Sequence, residues 1–207
     1  MEPYAQQIGF EAENAGCDRA GAAIVRGVSF NLAPGEALQL FGPNGSGKSS
    51  LLSMFAGLIR PVEGALRWRR VEEEADAPFE NSVFFLGHEA SVKPSLTAEE
   101  NLIFWAQTYG ASRALVDEAT AAVDAEGFAK LRAGRLSAGQ RRRIDLARAV
   151  LADRPVWLLD EPTAAVDRDG VEIIRDLTAR HRSRGGVAII ATHDDLGPGY
   201  QRVELGR

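Results

Sequence analysis

The chain has 207 residues, room for one domain or for one domain with a small insertion. Hydrophobic residues make up 45% and charged residues 26%, the mixture of a globular protein with a core, not of a disordered or fibrous chain. The formal net charge of −5 offers no general field for a polyanion, so nucleic acid is not expected as a partner, and a single cysteine, Cys17, excludes an internal disulfide and a multi-cysteine metal site.

In chain order, the stretch from Ile24 to Leu40 carries short alternating segments that suit an antiparallel edge. Its end, Ala37 to Phe41, is an apolar run that reads as a buried strand, and a helical pattern follows from Ser49 to Leu58. Val71 to Glu80 is acidic, contains Pro78 and reads as a surface loop. Val83 to Leu86 is a second buried strand. Ala98 to Tyr109 and Arg113 to Val123 are helical patterns with no strand between them, which predicts a helical subdomain of about residues 98–137 inserted in a single α/β domain. A helix from Ala138 to Leu151 stops before Pro155. A strand at Val156 to Leu159, a helix at Val171 to Arg182 and a β-branched strand at Val187 to Ala191 complete the chain. Strands alternating with helices predict an α/β fold with a mainly parallel sheet.

No apolar run approaches the roughly 20 residues that cross a bilayer. The start, Met1-Glu2-Pro3, lacks a basic stretch ahead of an apolar one, so neither a spanning helix nor a signal peptide is expected. Any membrane part would be another chain.

Gly42-Pro43-Asn44-Gly45-Ser46-Gly47-Lys48-Ser49, followed by Ser50, fits the pattern G-x-x-x-x-G-K-[ST] of a phosphate loop, with an apolar strand before it and a helix after it. Glycines allow the backbone to bend so that several N–H groups face phosphate oxygens, and the helix N-terminus adds a positive dipole end. Lys48 supplies a cation for the β- and γ-phosphates, and the Ser49 hydroxyl can ligate Mg²⁺. The expected ligands are therefore a nucleoside triphosphate and Mg²⁺.

Val156-Trp157-Leu158-Leu159-Asp160-Glu161 ends an apolar strand in two carboxylates. Alone, such a pair more often marks a solvated turn. At the C-terminal edge of an α/β sheet, beside a phosphate loop, it takes on two tasks: Asp160 for Mg²⁺ and Glu161 for polarising the attacking water.

Leu136-Ser137-Ala138-Gly139-Gln140 resembles the signature motif of ABC ATPases, usually LSGGQ, with Ala138 at a glycine position. Structurally it also reads as a capped helix start, with Ser137 as N-cap and Gln140 at N3. The order phosphate loop, LSAGQ, LLDEP and Thr192-His193 covers most of the chain. The resemblance implies the P-loop ABC-ATPase core and a head-to-tail homodimer, each ATP lying between one copy's phosphate loop and the other's Ser137, Ala138, Gly139 and Gln140. It also implies that Asp167 is the D-loop aspartate near that interface and that His193 is the switch histidine, catalytic with Glu161.

Two departures stand out. Arg19 occupies the position where ABC ATPases usually stack an aromatic ring on adenine; a guanidinium can lie flat on a base. His88, in Leu86-Gly87-His88-Glu89, stands at the spacing of the usual loop glutamine, and His88 or Glu89 is expected to sense metal or water. That Gly-His pair, Lys93 and Leu96-Thr97-Ala98-Glu99-Glu100-Asn101-Leu102 resemble the ATP-binding subunit of the haem exporter of bacterial cytochrome c maturation. This family implies integral membrane partners and a peripheral place on the cytoplasmic face of the inner membrane. No Cys-x-x-Cys-His or axial-ligand pair suggests a haem site in the chain itself. The competing readings are the ATPase of another ABC exporter, a soluble ABC-type ATPase of DNA repair or translation, and a regulatory module with little turnover. Intact Lys48, Asp160, Glu161 and His193 speak against the last.

Overall fold

The computed structural model describes residues 2–19, 22–70, 73–75, 78–79 and 81–206, with the backbone alone for 19, 22 and 23. Alternation decides the first strands. Along 8–13 of β1 (Ile8–Arg19) and 65–69 of β4 (Glu63–Arg70), one face is apolar and the other largely charged, and along 28–32 of β2 (Ala22–Leu32) apolar residues alternate with polar ones. Phe10 lies opposite Trp68 and stacks on it at 4.0 Å between ring centroids, while on the outer face Arg67 reaches Glu13 at 2.7 Å and Arg69 reaches Glu11 at 2.7 Å. With β5 (Glu73–Ala75) these strands form an antiparallel sheet in the order β2-β1-β4-β5.

A second sheet has the order β6-β7-β8-β3-β9. It contains β3 (Ala37–Phe41), β6 (Val83–Leu86), β7 (Val156–Asp160), β8 (Val187–Ala191) and β9 (Gln201–Glu204), and β3 pairs in parallel with both β8 and β9. Strands β3, β7 and β8 are buried almost throughout, which suits parallel strands covered on both faces. α1 (Lys48–Phe55) packs against β1, β7 and β8, and Phe10, Phe55, Trp68, Leu38, Leu40, Leu158 and Ile189 share one core. The α/β class with a parallel sheet and an antiparallel sheet is as expected.

Several local expectations need correction. The helix expected to reach Leu58 stops at Phe55: Gly57 adopts φ 74°, and the amides of Ala56, Gly57 and Leu58 turn back onto the carbonyls of Leu52, Met54 and Ser53. Leu58 is left 68% exposed. Within the acidic segment read as a loop, Glu73–Ala75 pairs antiparallel with β4, because Glu73 and Glu74 meet Arg70 and Arg69 across the ladder. Residues 71–72, 76–77 and 80 lie outside the described residues.

The chain divides into two compact units, the first made of Met1–Phe85, Arg154–Glu161 and Thr178–Arg207. The second, Leu86–Asp153 with Pro162–Leu177, holds α2 (Ala98–Tyr109), α3 (Arg113–Ala122), two 3-10 turns and α4 (Ala138–Ala152), and these helices pack on one another. Thr97 and Glu100 close a capping box at the start of α2, and Gly110 ends that helix at φ 72°. In α4, Arg142, Asp145 and Arg148 follow at a spacing of three. Fully buried Asp145 accepts from Arg148 at 2.5 Å and faces Arg142 at 3.6 Å, and the Arg148 guanidinium lies over the Trp105 ring. α5 (Arg168–Ser183) belongs to the second unit up to Leu177 and to the first from Thr178. Among the described residues no helix is long and apolar enough to cross a membrane.

In the first unit the N-terminal segment is pinned by a buried polar contact. The Tyr4 hydroxyl lies 2.9 Å from His181 Nδ1, and His181 Nε2 lies 3.0 Å from the Val187 carbonyl. A carbonyl can only accept, so Nε2 carries the proton and Nδ1 accepts from Tyr4. The imidazole also stacks on Trp157 at 4.0 Å. Tyr4→Phe should lower the unfolding free energy by about 1 to 2 kcal/mol, read from the urea midpoint, because a buried acceptor loses its donor while the ring contacts remain.

Candidate active site

In the first unit, β3 runs into the phosphate loop and the loop into α1. Gly45 and Gly47 have φ of 83° and 96°, which L side chains rarely adopt, and a Cβ on Gly47 would meet Val25 Cγ2 at 2.3 Å. α1 has no side-chain cap and no acidic residue in its first turn. Its leading amides and dipole therefore suit an anion. Pro43, Asn44, Gly45 and Ser49 are exposed, Gly42 is buried, and Ser46, Gly47 and Ser50 are half-buried. Among the described residues the buried Ser46 Oγ has no hydrogen-bond partner, a donor in a loop lined with donors. This set fits a phosphate chain.

Lys48 is 5% exposed. Its ammonium donates to the Gly42 carbonyl at 2.7 Å and to the Pro43 carbonyl at 3.2 Å, and it pairs with Glu161 Oε1 at 3.1 Å. The second carboxylate oxygen of Glu161 lies 3.1 Å from His193 Nδ1. Glu161 thus stands between a cation and an imidazole. It is also held at φ 47°, a left-handed conformation that costs a non-glycine residue about 1 to 3 kcal/mol, and its amide donates to the Ala191 carbonyl at 2.8 Å. The turn takes Glu161 out of the strand alternation and leaves Asp160 as the last residue of β7, opposite Ala191 and 3% exposed. Lys48, Asp160, Glu161 and His193 therefore come together at the C-terminal ends of β3, β7 and β8, where α/β sheets bind ligands.

In the second unit, Ser137 caps α4. Its Oγ accepts the Gln140 amide at 3.1 Å, and Gln140 Oε1 accepts the Ser137 amide at 2.9 Å. Ser137 and Ala138 are exposed. Gly139 lies so near the segment after β7 that a Cβ would meet the Ala165 carbonyl at 2.6 Å. Asp167 accepts the Gly170 amide at 2.9 Å and Arg143 at 3.2 Å. That amide first, and then the guanidinium, hold its carboxyl below the usual aspartate range. Arg143 also reaches Asp124 at 3.1 Å, and a cavity of about 470 Å³ is lined by Ser137, Gly139, Gln140, Arg143 and Asp167 among others.

Of Arg141, Arg142 and Arg143 in the first turns of α4, Arg142 does not belong to an exposed helix surface. It is 4% exposed and donates to the Gly87 carbonyl at 2.8 Å, in the loop that carries the exposed His88. The signal was present as the i, i+3 spacing of Arg142, Asp145 and Arg148, an ion-pair ladder along one helix face. Arg19 ends β1, and its side chain lies outside the described residues.

A model of the ABC transporter family matches residues 25–164. The cytochrome c biogenesis ATP-binding export protein CcmA of Rhodospirillum rubrum is 46% identical over 188 residues, 90% of this chain and 81% of that protein. The protein of the same name from Paramagnetospirillum magneticum is 43% identical over 203 residues, 95% of this chain and 93% of its own length. Among solved structures, an ABC transporter ATP-binding protein from Pyrococcus furiosus shares the fold, with a TM-score of 0.83 at 23% identity over 95% of this chain and 97% of that one. The chain belongs to the ABC transporter family, in the group of the cytochrome c biogenesis ATP-binding export proteins.

Proposed function

We propose that this chain is the ATP-binding and ATP-hydrolysing subunit of a haem exporter of cytochrome c biogenesis, held on the cytoplasmic face of the membrane by integral membrane subunits. The observation that carries the hydrolytic reading is the carboxylate of Glu161 held between Lys48 Nζ and His193 Nδ1, at 3.1 Å from each. All three groups stand beside a loop whose backbone suits phosphates.

The amides of residues 42–50 and the Lys48 ammonium bind the triphosphate, and Arg19 lies against the adenine. When the γ-phosphate takes up Lys48, Glu161 loses that cation and is free to accept a hydrogen bond from the attacking water. His193 holds Glu161 from its other oxygen. The hydroxyl of Ser49 and the carboxylate of Asp160 are oxygen donors of the kind Mg²⁺ prefers, one exposed at the head of α1 and one buried at the end of β7, so this pair fits the ion. When bound, Mg²⁺ neutralises charge developing on the phosphate oxygens. His88, with its ring exposed, senses metal or water.

A second copy completes the site head to tail. The exposed Ser137 and Ala138, the Gly139 amide, Gln140 and the N-terminus of α4 offer donors to a γ-phosphate from outside, and Asp167 is kept anionic near that face. The haem itself is left to the membrane subunits.

The test is coexpression with the candidate membrane subunits, followed by purification in detergent and measurement of phosphate release. Copurification of this chain, with release that saturates in ATP and stops on adding a magnesium chelator, is expected. A chain that never copurifies yet hydrolyses ATP alone would point to the soluble ABC-type reading instead.

A further inference from the structure

Gln39 is a polar residue in the middle of an otherwise apolar strand, and nothing in the hydrolytic assignment uses it. It is 2% exposed in β3, between β8 and β9, where its backbone neighbours are Ile190 and Arg202. A buried amide costs stability unless it is hydrogen-bonded, so a core strand is better served by an aliphatic side chain. The side chain is bonded. Its Nε2 donates to the main-chain carbonyl of Asp194 at 2.5 Å, across 155 positions of sequence.

That contact lands on the residue after His193. The Asp194 amide donates to Thr192 Oγ1 at 3.1 Å, so both main-chain polar groups of Asp194 are engaged. On the other side of His193, the Thr192 amide donates to the Leu40 carbonyl at 3.2 Å. The two neighbours of His193 are therefore each tied to β3, one through the backbone at Leu40 and one through the side chain of Gln39. The imidazole is 58% exposed, and its closest polar contact among the described residues is the one to Glu161. Its place is set by the backbone that carries it. β3 is also the strand that runs, through Phe41, into Gly42 and the phosphate loop.

We propose that Gln39 is a positioning residue for ATP hydrolysis, holding the 192–194 loop so that His193 meets Glu161 in fixed register with the phosphate loop. Gln39 is buried in β3 and acts through the backbone that carries His193. The inference rests on the hydrolytic reading of Glu161 and His193.

The experiment compares Gln39→Met, which keeps the volume and removes the donor, with Gln39→Glu, which keeps the shape and turns an acceptor toward the carbonyl. His193→Ala and the Gln39→Met/His193→Ala double variant complete the set. Folding is checked by circular dichroism and by ADP affinity, which the Gln39 variants should leave within about twofold of wild type. Each Gln39 change is expected to lower kcat roughly ten- to hundredfold with little change in KM, because a displaced catalytic group costs rate more than binding. In the His193→Ala background, Gln39→Met is expected to cost no more than about twofold further, since the two residues act as one unit. If the losses multiply, or if folded Gln39 variants turn over like wild type, the inference is overturned while the assignment of His193 survives. If His193→Ala alone leaves kcat unchanged, the hydrolytic assignment of His193 falls and the inference with it. Should Gln39→Met fail to fold, Gln39→Glu in the same two backgrounds gives the same comparison.

Discussion

Replacing Glu161 by glutamine should slow ATP hydrolysis about 10²- to 10⁴-fold, the usual worth of a positioned general base, while ATP binding is kept. Glutamine preserves the length of the side chain and its contact with His193, so the left-handed turn at Glu161 need not move. What is lost is the negative charge that draws a proton from water. The structure adds a second consequence. Among the described residues Glu161 Oε1 is one of three partners of the Lys48 ammonium, so a neutral amide removes a competitor for the triphosphate. The variant should therefore bind ATP at least as tightly as wild type and, unable to turn it over, accumulate as an ATP-bound dimer on size-exclusion chromatography. Wild-type turnover in that variant would remove Glu161 from its role.

Lys48→Ala should weaken nucleotide binding roughly ten- to hundredfold, because a charge-assisted contact to a desolvated phosphate is usually worth about 1.5 to 3 kcal/mol. Fluorescent-nucleotide titration reads this directly, and normal affinity would contradict the phosphate-loop assignment. The same substitution acts on the protein without ligand. It takes the ammonium from beside a carboxylate that is 8% exposed, and breaking a buried pair from one side costs about 3 to 5 kcal/mol. Nucleotide-free Lys48→Ala should therefore unfold at lower urea than wild type. Adding Glu161→Gln should recover part of the difference, because the charge left behind is removed with its partner. A double variant no more stable than Lys48→Ala would mean that the ion pair contributes little to the fold.

Legibility along the chain followed how local the cause was. The strands Ala37–Phe41 and Val187–Ala191 coincide with the apolar runs read from sequence, because strands buried on both faces show as near-continuous hydrophobic stretches, and Val83–Leu86, alternately half-buried and buried, coincides as a short apolar run. The helix Ala98–Tyr109 coincides too, since its capping box and terminal glycine are punctuation written within a few residues. β1 was not recognised. Its register shifts between Ala12 and Cys17, and its positive φ at Asn14, break the alternation that marks a half-buried strand. β9 was missed for a different reason: its residues are mostly exposed, and it exists because β3 offers it a ladder.

Motifs whose chemistry depends on neighbours in sequence are legible in the sequence itself: the glycine-lysine-serine run of the phosphate loop, the apolar strand ending in Asp160 and Glu161, and the serine and glutamine that cap α4. Backbone amides and capping groups act over one turn, so their residues must be close in the chain. The pairing of Lys48 with Glu161, the grip of β3 on both neighbours of His193 and the burial of Arg142 join residues tens to more than a hundred positions apart. No local propensity encodes these contacts. They arise when the sheet order brings β7, β8 and β3 side by side and when helices pack, because long-range hydrogen bonds and ion pairs are selected by folded geometry and not by the order of residues along the chain.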